Sequence, residues 1–203
     1  MKQEFCDEIM GWDASFAARA DSGDLSVGII GLGYVGLPTA IGFRDAGFNV
    51  WGVDLSERIV SALHEGRNPL GDPDLDDMIP APDSDRWTIT RSTAEATAAC
   101  DVLIVTVPTP VSEDLKPDLS YVESAGRAVF EAAGKGRRKV VILESTVYLG
   151  VTASTWLPLL DEIGLVEGED IEVAYCPERF NPGDPNHGVR QVCLLYTSDA
   201  ADE

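Results

Sequence analysis

From Ser26 onward, short runs of apolar residues alternate with stretches in which apolar side chains recur every three or four positions. The runs at 26–31, 48–53, 102–107, 139–144 and 171–175 are too short for helices and rich in Val and Ile, so they predict strands. Trp87-Thr88-Ile89-Thr90 predicts a further, shorter one. Helical spacing predicts helices at about 35–46, 56–65, 92–99, 119–133 and 152–163. Gly47 closes the first of these; Ser56 reads as the N-cap of the second and Gly66 as its stop. Val102-Leu103-Ile104-Val105-Thr106-Val107 reads as apolar throughout, as befits a strand covered on both faces. Residues 1–25 show no such pattern and read as an N-terminal extension with at most one weak helix.

Strands that alternate with helices form parallel βαβ units, so the expected fold class is α/β, a Rossmann-type doubly wound parallel sheet. Such sheets bind ligands outside the carboxyl ends of their strands, which singles out 31–36, 54–58, 107–111 and 144–150. The first of these is the most informative. Gly31-x-Gly33-x-x-Gly36 follows a strand and opens a helix. At that spacing Gly31 permits the turn, Gly33 lets backbone approach a pyrophosphate, and Gly36 lets helix pack on strand. The phosphates would sit on the free N–H groups of the helix start. Asp54 ends the second strand eighteen residues later, where a carboxylate can accept both ribose hydroxyls of an adenosine. An ordinary α/β turn remains the alternative. At the other two strand ends, Val107-Pro108-Thr109-Pro110 fixes a loop with two prolines, and Glu144-Ser145-Thr146 offers two hydroxyls and a carboxylate to the crevice.

Composition narrows the picture. The 203 residues are 44% hydrophobic, enough to bury a core, and no run approaches the length of a membrane span. Met1–Glu8 is acidic and lacks the apolar stretch of a signal peptide, so a cytoplasmic location is expected. Cysteines 6, 100, 176 and 193 show no paired spacing, and neither a disulfide framework nor a metal site is expected. The net charge of −20, with lysine only at 2, 116, 135 and 139, would repel nucleic acid and anionic membranes. It fits either a solvated acidic face or, as we expect, a protein from a high-salt cytoplasm, where counterions screen self-repulsion.

Five motifs occur in order: Gly31-Leu-Gly-Tyr-Val-Gly-Leu-Pro-Thr-Ala40, Val107-Pro-Thr-Pro110, Lys116-Pro-Asp-Leu-Ser-Tyr-Val-Glu-Ser124, Leu143-Glu-Ser-Thr146 and Ala174-Tyr-Cys-Pro-Glu-Arg179. Together they resemble the N-terminal domain of the UDP-glucose/GDP-mannose dehydrogenase family over about residues 26–190, nearest to its UDP-N-acetyl-D-mannosamine branch. The resemblance implies oxidation of the C6 alcohol of a UDP-sugar to a carboxylate in two steps, with two NAD⁺ reduced. It implies that Tyr34 and Val35 lie on the pyrophosphate, Asp54 on the adenosine ribose, and Thr109 and Thr146 along the nicotinamide half. It also implies that Arg179 and Phe180 meet the sugar nucleotide and that Glu178 faces the reacting centre. Asp54 would repel a 2′-phosphate and so favour NAD over NADP, with Arg58 a weaker opposing influence. Tyr148-Leu149 departs from the family's proline-containing turn, and Asp72-Pro73 stands where Glu-Pro is frequent.

The family's nucleophilic cysteine, which captures the aldehyde intermediate, lies in a Gly-Gly-His-Cys-type motif that does not occur here, and Cys176 is not its substitute. In the family, dimers form largely through a central domain also absent from these residues. The final segment, Cys193-Leu-Leu-Tyr-Thr-Ser-Asp-Ala-Ala-Asp-Glu203, resembles the translation of a transposase-type sequencing adapter. Residues 26–192 are therefore expected to be a truncated NAD-binding domain and 193–203 an artefact. Such a chain would bind NAD without turnover. The alternatives are a β-hydroxyacid or 6-phosphogluconate-type dehydrogenase, which shares the glycine turn, and a non-catalytic NAD-binding module.

Overall fold

The computed structural model describes residues 14–82, 84–111 and 116–177. Six strands form one sheet: β1 (Ser26–Ile30), β2 (Asn49–Val53), β3 (Trp87–Thr90), β4 (Val102–Val105), β5 (Lys139–Leu143) and β6 (Ile171–Tyr175). Their order is β3-β2-β1-β4-β5-β6, and every neighbouring pair is parallel. The chain runs outward from β1 to β3 and then crosses back to lay β4 on the other side of β1, so the strand order reverses between β1 and β4, which places a crevice at their carboxyl ends.

Helices α1 (Ala14–Ser22), α2 (Gly36–Asp45), α3 (Glu57–His64), α4 (Thr93–Ala99), α5 (Ser120–Ala133) and α6 (Leu157–Ile163) complete the described elements. Alternation along the strands builds two cores. Ile30, Leu103, Val105, Val141 and Leu143 bury one face of the sheet against Ala96, Val122, Phe130 and Trp156. Val27, Ile29, Val50 and Ile104 bury the other against Leu37, Ile41, Val60 and Leu63. Helices on both faces are what near-continuous apolar strands require.

One local expectation is corrected and another is met in position but not in its hydrogen bond. The helix expected across 152–163 begins as a π-helical turn, Thr152–Trp156, before α6. Pro158 has no N–H to close an α-helical bond on the Ser154 carbonyl, so the ladder is interrupted beside it. Trp156 is fully buried there, donating Nε1–H to Val122 O at 3.1 Å and meeting Phe130 edge-on at 5.4 Å. Ser56 occupies the N-cap of α3 but makes no side-chain capping bond. Asp54 Oδ1 instead accepts the Ser56 N–H at 2.8 Å, an Asx turn that aims the chain into the helix.

At the amino-terminal edge of the sheet, α1 is tied to the domain through Asp101, only 3% exposed. Arg19 donates to both carboxylate oxygens at 2.9 and 2.8 Å, Ser26 N–H donates at 3.0 Å, and Arg137 pairs from the other side. Next to it, buried Lys139 donates Nζ to Cys100 O at 2.7 Å. Burial pushes the Cys100 thiol up to about 12.

Candidate functional site

β1 delivers the chain to Gly31, whose φ of 101° lies in the region that side chains avoid. Gly31 N–H donates to Val53 O at 2.8 Å, and a Cβ at Gly31 would lie 3.0 Å from Thr106 O. Five residues on, a Cβ at Gly36 would fall 1.9 Å from Gly31 O and 2.4 Å from Thr106 Oγ1. Only glycine allows α2 to start this close to the end of β1. Gly33 is different: a Cβ there would meet nothing within 4 Å, so its absence leaves the backbone accessible from outside.

The hydrogen bonds around the turn divide into two sets. Leu32 N–H donates to Asp54 Oδ2 at 2.9 Å, and α2's ladder takes over at Leu37 N–H to Gly33 O, 3.0 Å. Among the described residues, the intervening N–H groups of Gly33, Tyr34 and Val35 have no protein acceptor. They stand at a helix start, where donors and dipole together favour an anion. Asp54 has one backbone donor on each carboxylate oxygen, which holds both oxygens in place while leaving acceptor capacity on each. An open glycine backbone, unused helix-start donors and a fixed carboxylate fit the pyrophosphate and adenosine ribose of a dinucleotide.

Across the switch point, Thr109 Oγ1 donates to Thr146 O at 2.7 Å and Ser145 Oγ to Val107 O at 2.7 Å. The loops leaving β4 and β5 are thus joined by two hydroxyls. Pro110 O also accepts Asp118 N–H at 2.7 Å, so the Pro-rich loop is held at both ends.

Residues 25–192 match the family described as UDP-glucose/GDP-mannose dehydrogenase, NAD binding domain. The chain belongs to that family. An NDP-N-acetyl-D-galactosaminuronic acid dehydrogenase of Ralstonia nicotianae is 38% identical over 174 residues, which are 82% of this chain and 39% of that one. A UDP-N-acetyl-D-mannosamine dehydrogenase of Escherichia coli is 36% identical over 167 residues, 78% of this chain and 38% of the relative. The crystal structure of a ternary complex of GDP-mannose dehydrogenase from Pseudomonas aeruginosa superposes with a TM-score of 0.73 at 30% identity, covering 77% of this chain and 36% of that one. The chain therefore spans about two-fifths of the length of the curated relatives it matches.

Within this NAD-binding domain, the structure brings Gly31, Gly33, Tyr34, Val35, Gly36 and Asp54 together at the mouths of β1 and β2, and joins Thr109 to Thr146 at the mouths of β4 and β5. Glu178, Arg179 and Phe180 lie outside the described residues. One expectation is corrected: Ser145 does not face the crevice. Its hydroxyl is buried and spent on Val107 O, while Thr146 is exposed beside it. Arg58 donates Nη1–H to Pro69 O at 2.6 Å, which fixes one of its donors on the neighbouring loop while the guanidinium charge remains. Thr106 was hidden in an apolar run. The signal that could have found it is a lone hydroxyl closing a strand otherwise made of Val, Leu and Ile. NAD is the cofactor of this domain; when bound, it supplies a hydride acceptor.

Proposed function

We propose that the protein carrying this domain is a nucleotide-sugar 6-dehydrogenase. It oxidises the C6 alcohol of a UDP-sugar, with UDP-N-acetyl-D-mannosamine the leading candidate, to the carboxylate, and serves polysaccharide biosynthesis in the cytoplasm. The observation that carries the reading is the switch-point crevice, where the unused Gly33–Val35 donors and the fixed Asp54 carboxylate sit in a chain of this family. In this reading Gly31, Gly33, Tyr34, Val35, Gly36 and Asp54 bind the dinucleotide, and Thr109 and Thr146 border its nicotinamide half. Arg179 and Phe180 would hold the sugar nucleotide, with Glu178 beside the reacting carbon. The working form would be a homodimer joined through a further domain. Relatives named for galactosaminuronic acid and for mannosamine stand at nearly equal identity, which supports the N-acetylhexosamine class, and the choice of mannosamine within it rests on the resemblance of the motifs.

Residues 1–203 alone should bind NAD weakly and reduce none. A nucleophilic cysteine needs access and a lowered thiol pKa. Cys100 is buried at the edge of the sheet opposite the crevice with its thiol pushed up, and Cys176 is buried at the end of β6.

The test is the protein that contains this domain, supplied with NAD⁺ and UDP-N-acetyl-D-mannosamine, alongside the glucosamine and galactosamine epimers and UDP-glucose. Two NADH should form per carboxylate from at least one of them. NAD binding without NADH from any sugar would leave a non-catalytic NAD-binding module as the function. A measurable rate from the 203-residue chain would overturn the inactivity of this portion.

The acidic surface leads to a separate expectation. The melting temperature of the chain should rise by several degrees between low and molar KCl, as screening relieves repulsion among its 35 acidic residues. A flat or falling melting temperature over that range would end the salt-adapted reading.

A further inference from the structure

The peptide unit joining Gly31 to Leu32 is held at both of its ends. Its carbonyl oxygen accepts the Thr106 hydroxyl at 2.7 Å, and its N–H donates to Asp54 Oδ2 at 2.9 Å. The two partners come from opposite sides of the turn: Thr106 follows β4, and Asp54 follows β2. Thr106 is itself anchored, because its own N–H donates to Ile30 O at 2.9 Å and its side chain is buried. The hydroxyl is also in the space that a Cβ at Gly36 would invade, so it sits packed between the end of β1 and the start of α2.

We propose that Thr106 is a positioning residue for the dinucleotide: its hydroxyl fixes the Gly31–Leu32 peptide so that the carbonyl is turned inward and the N–H is turned to Asp54. The proposal rests on the NAD reading of the crevice and adds a residue to it. Rotation of this peptide unit changes ψ of Gly31, where no Cβ resists it, together with φ of Leu32, so without the two hydrogen bonds little but the Leu32 backbone preference would hold it. Rotation would break the Leu32 bond to Asp54, release one oxygen of the carboxylate that faces the ribose, and swing a carbonyl dipole toward bound phosphate. Loss of one hydrogen bond is a small change in folding free energy, yet here the same bond sets the orientation of two binding groups. Thr106 touches neither ribose nor phosphate in this scheme and acts through the peptide.

Thr106→Val keeps the shape and removes the donor, Thr106→Ser keeps the donor, and Thr106→Ala removes it with less crowding should the valine variant fold poorly. Calorimetric titration of NAD into the 203-residue chain should show Kd raised about tenfold in the valine and alanine variants and within about twofold of the parent in the serine variant, tenfold being the loss of one good hydrogen bond. Amide hydrogen exchange of Leu32, measured without NAD, should be at least about tenfold faster in Thr106→Val and unchanged in Thr106→Ser, with core amides such as Ile29 unmoved. Equal NAD affinity in the parent and Thr106→Val, equal loss in the valine and serine variants, or unaltered Leu32 exchange would each overturn the clamp. Failure of the cofactor reading is distinguishable, since the unsubstituted chain would then bind no NAD while the exchange comparison still judges the clamp.

Discussion

Gly36→Ala should cost the domain about 3 kcal/mol and its NAD binding together, whereas Gly33→Ala should cost the binding alone. Both residues belong to the same turn, but their surroundings differ. A methyl at Gly36 would stand 1.9 Å from Gly31 O and 2.4 Å from Thr106 Oγ1, inside contact distance of a carbonyl that its bonds to Thr106 and, through the same peptide, Asp54 hold in place. Helix α2 has to move outward, which opens its packing of Leu37 and Ile41 on the sheet and disturbs the Gly31 carbonyl. Overpacking of this kind costs about 1–3 kcal/mol, with the upper end expected where the obstacle is main chain. For a chain of this size that is a fall of roughly 10 °C in melting temperature. A methyl at Gly33 meets nothing within 4 Å, so the free domain should melt within about 1 °C of the parent. It nevertheless occupies the approach to the unused N–H groups, and NAD Kd should rise by about tenfold or more. Thermal melts and NAD titrations of the two variants separate the effects. A Gly33→Ala domain that binds NAD like the parent would mean that the pyrophosphate does not pass over Gly33. A Gly36→Ala domain that melts like the parent would mean that the turn is looser than described.

The difference between these two glycines shows how far a sequence can be read and where the reading stops. Spacing predicted the strand, the turn, the helix and a role for each glycine, because those follow from local backbone requirements. The sheet was legible for a related reason: strands buried on both faces need apolar residues at nearly every position, and β1, β4 and β5 supply them. Spacing could not reveal which side chains span the turn. Thr106 reaches Gly31 from 75 positions away and reads locally as one residue of an apolar strand. Ser145 and Thr146 are adjacent in sequence, but successive residues leaving a strand point to different sides, so one hydroxyl is buried and the other is exposed. Ser56 and Asp54 both had the chemistry to start α3, and the carboxylate two residues earlier makes the bond. Pro158 was visible, yet its effect appears as a widened turn before it instead of a break in the helix.

The same limit hid Asp101, whose partners lie 82, 75 and 36 positions away, and removing its charge should give the second large effect. Asp101→Asn should lower stability by about 2–3 kcal/mol, the usual scale for losing charge-assisted hydrogen bonds to a buried carboxylate. Both arginines are partly exposed and can return to water, which keeps the cost below that of stranding a buried charge. Burial by itself would raise the Asp101 pKa, but the hydrogen bonds from Arg19 and Ser26 and the charges of Arg137 and Arg19 outweigh it and hold the carboxyl below its ordinary value. A carboxyl with a lowered folded pKa contributes its full stability above the unfolded pKa of about 4 and loses it as pH falls through the folded value. The stability gap between the parent and Asp101→Asn, read by urea unfolding, should therefore be constant from about pH 5 to 8 and close below about pH 4. Arg19→Ala should lose a smaller share, since Ser26 N–H and Arg137 still serve the carboxylate, and it should loosen α1 first, which limited proteolysis would detect. Because Asp101 lies at the amino-terminal edge and the glycine turn at the opposite one, NAD Kd should stay within about twofold in both variants at temperatures where each is folded. A gap that persists unchanged at pH 3 would mean that the carboxylate charge is not what joins α1 to the sheet, and a large loss of NAD affinity would mean that the two edges are mechanically coupled.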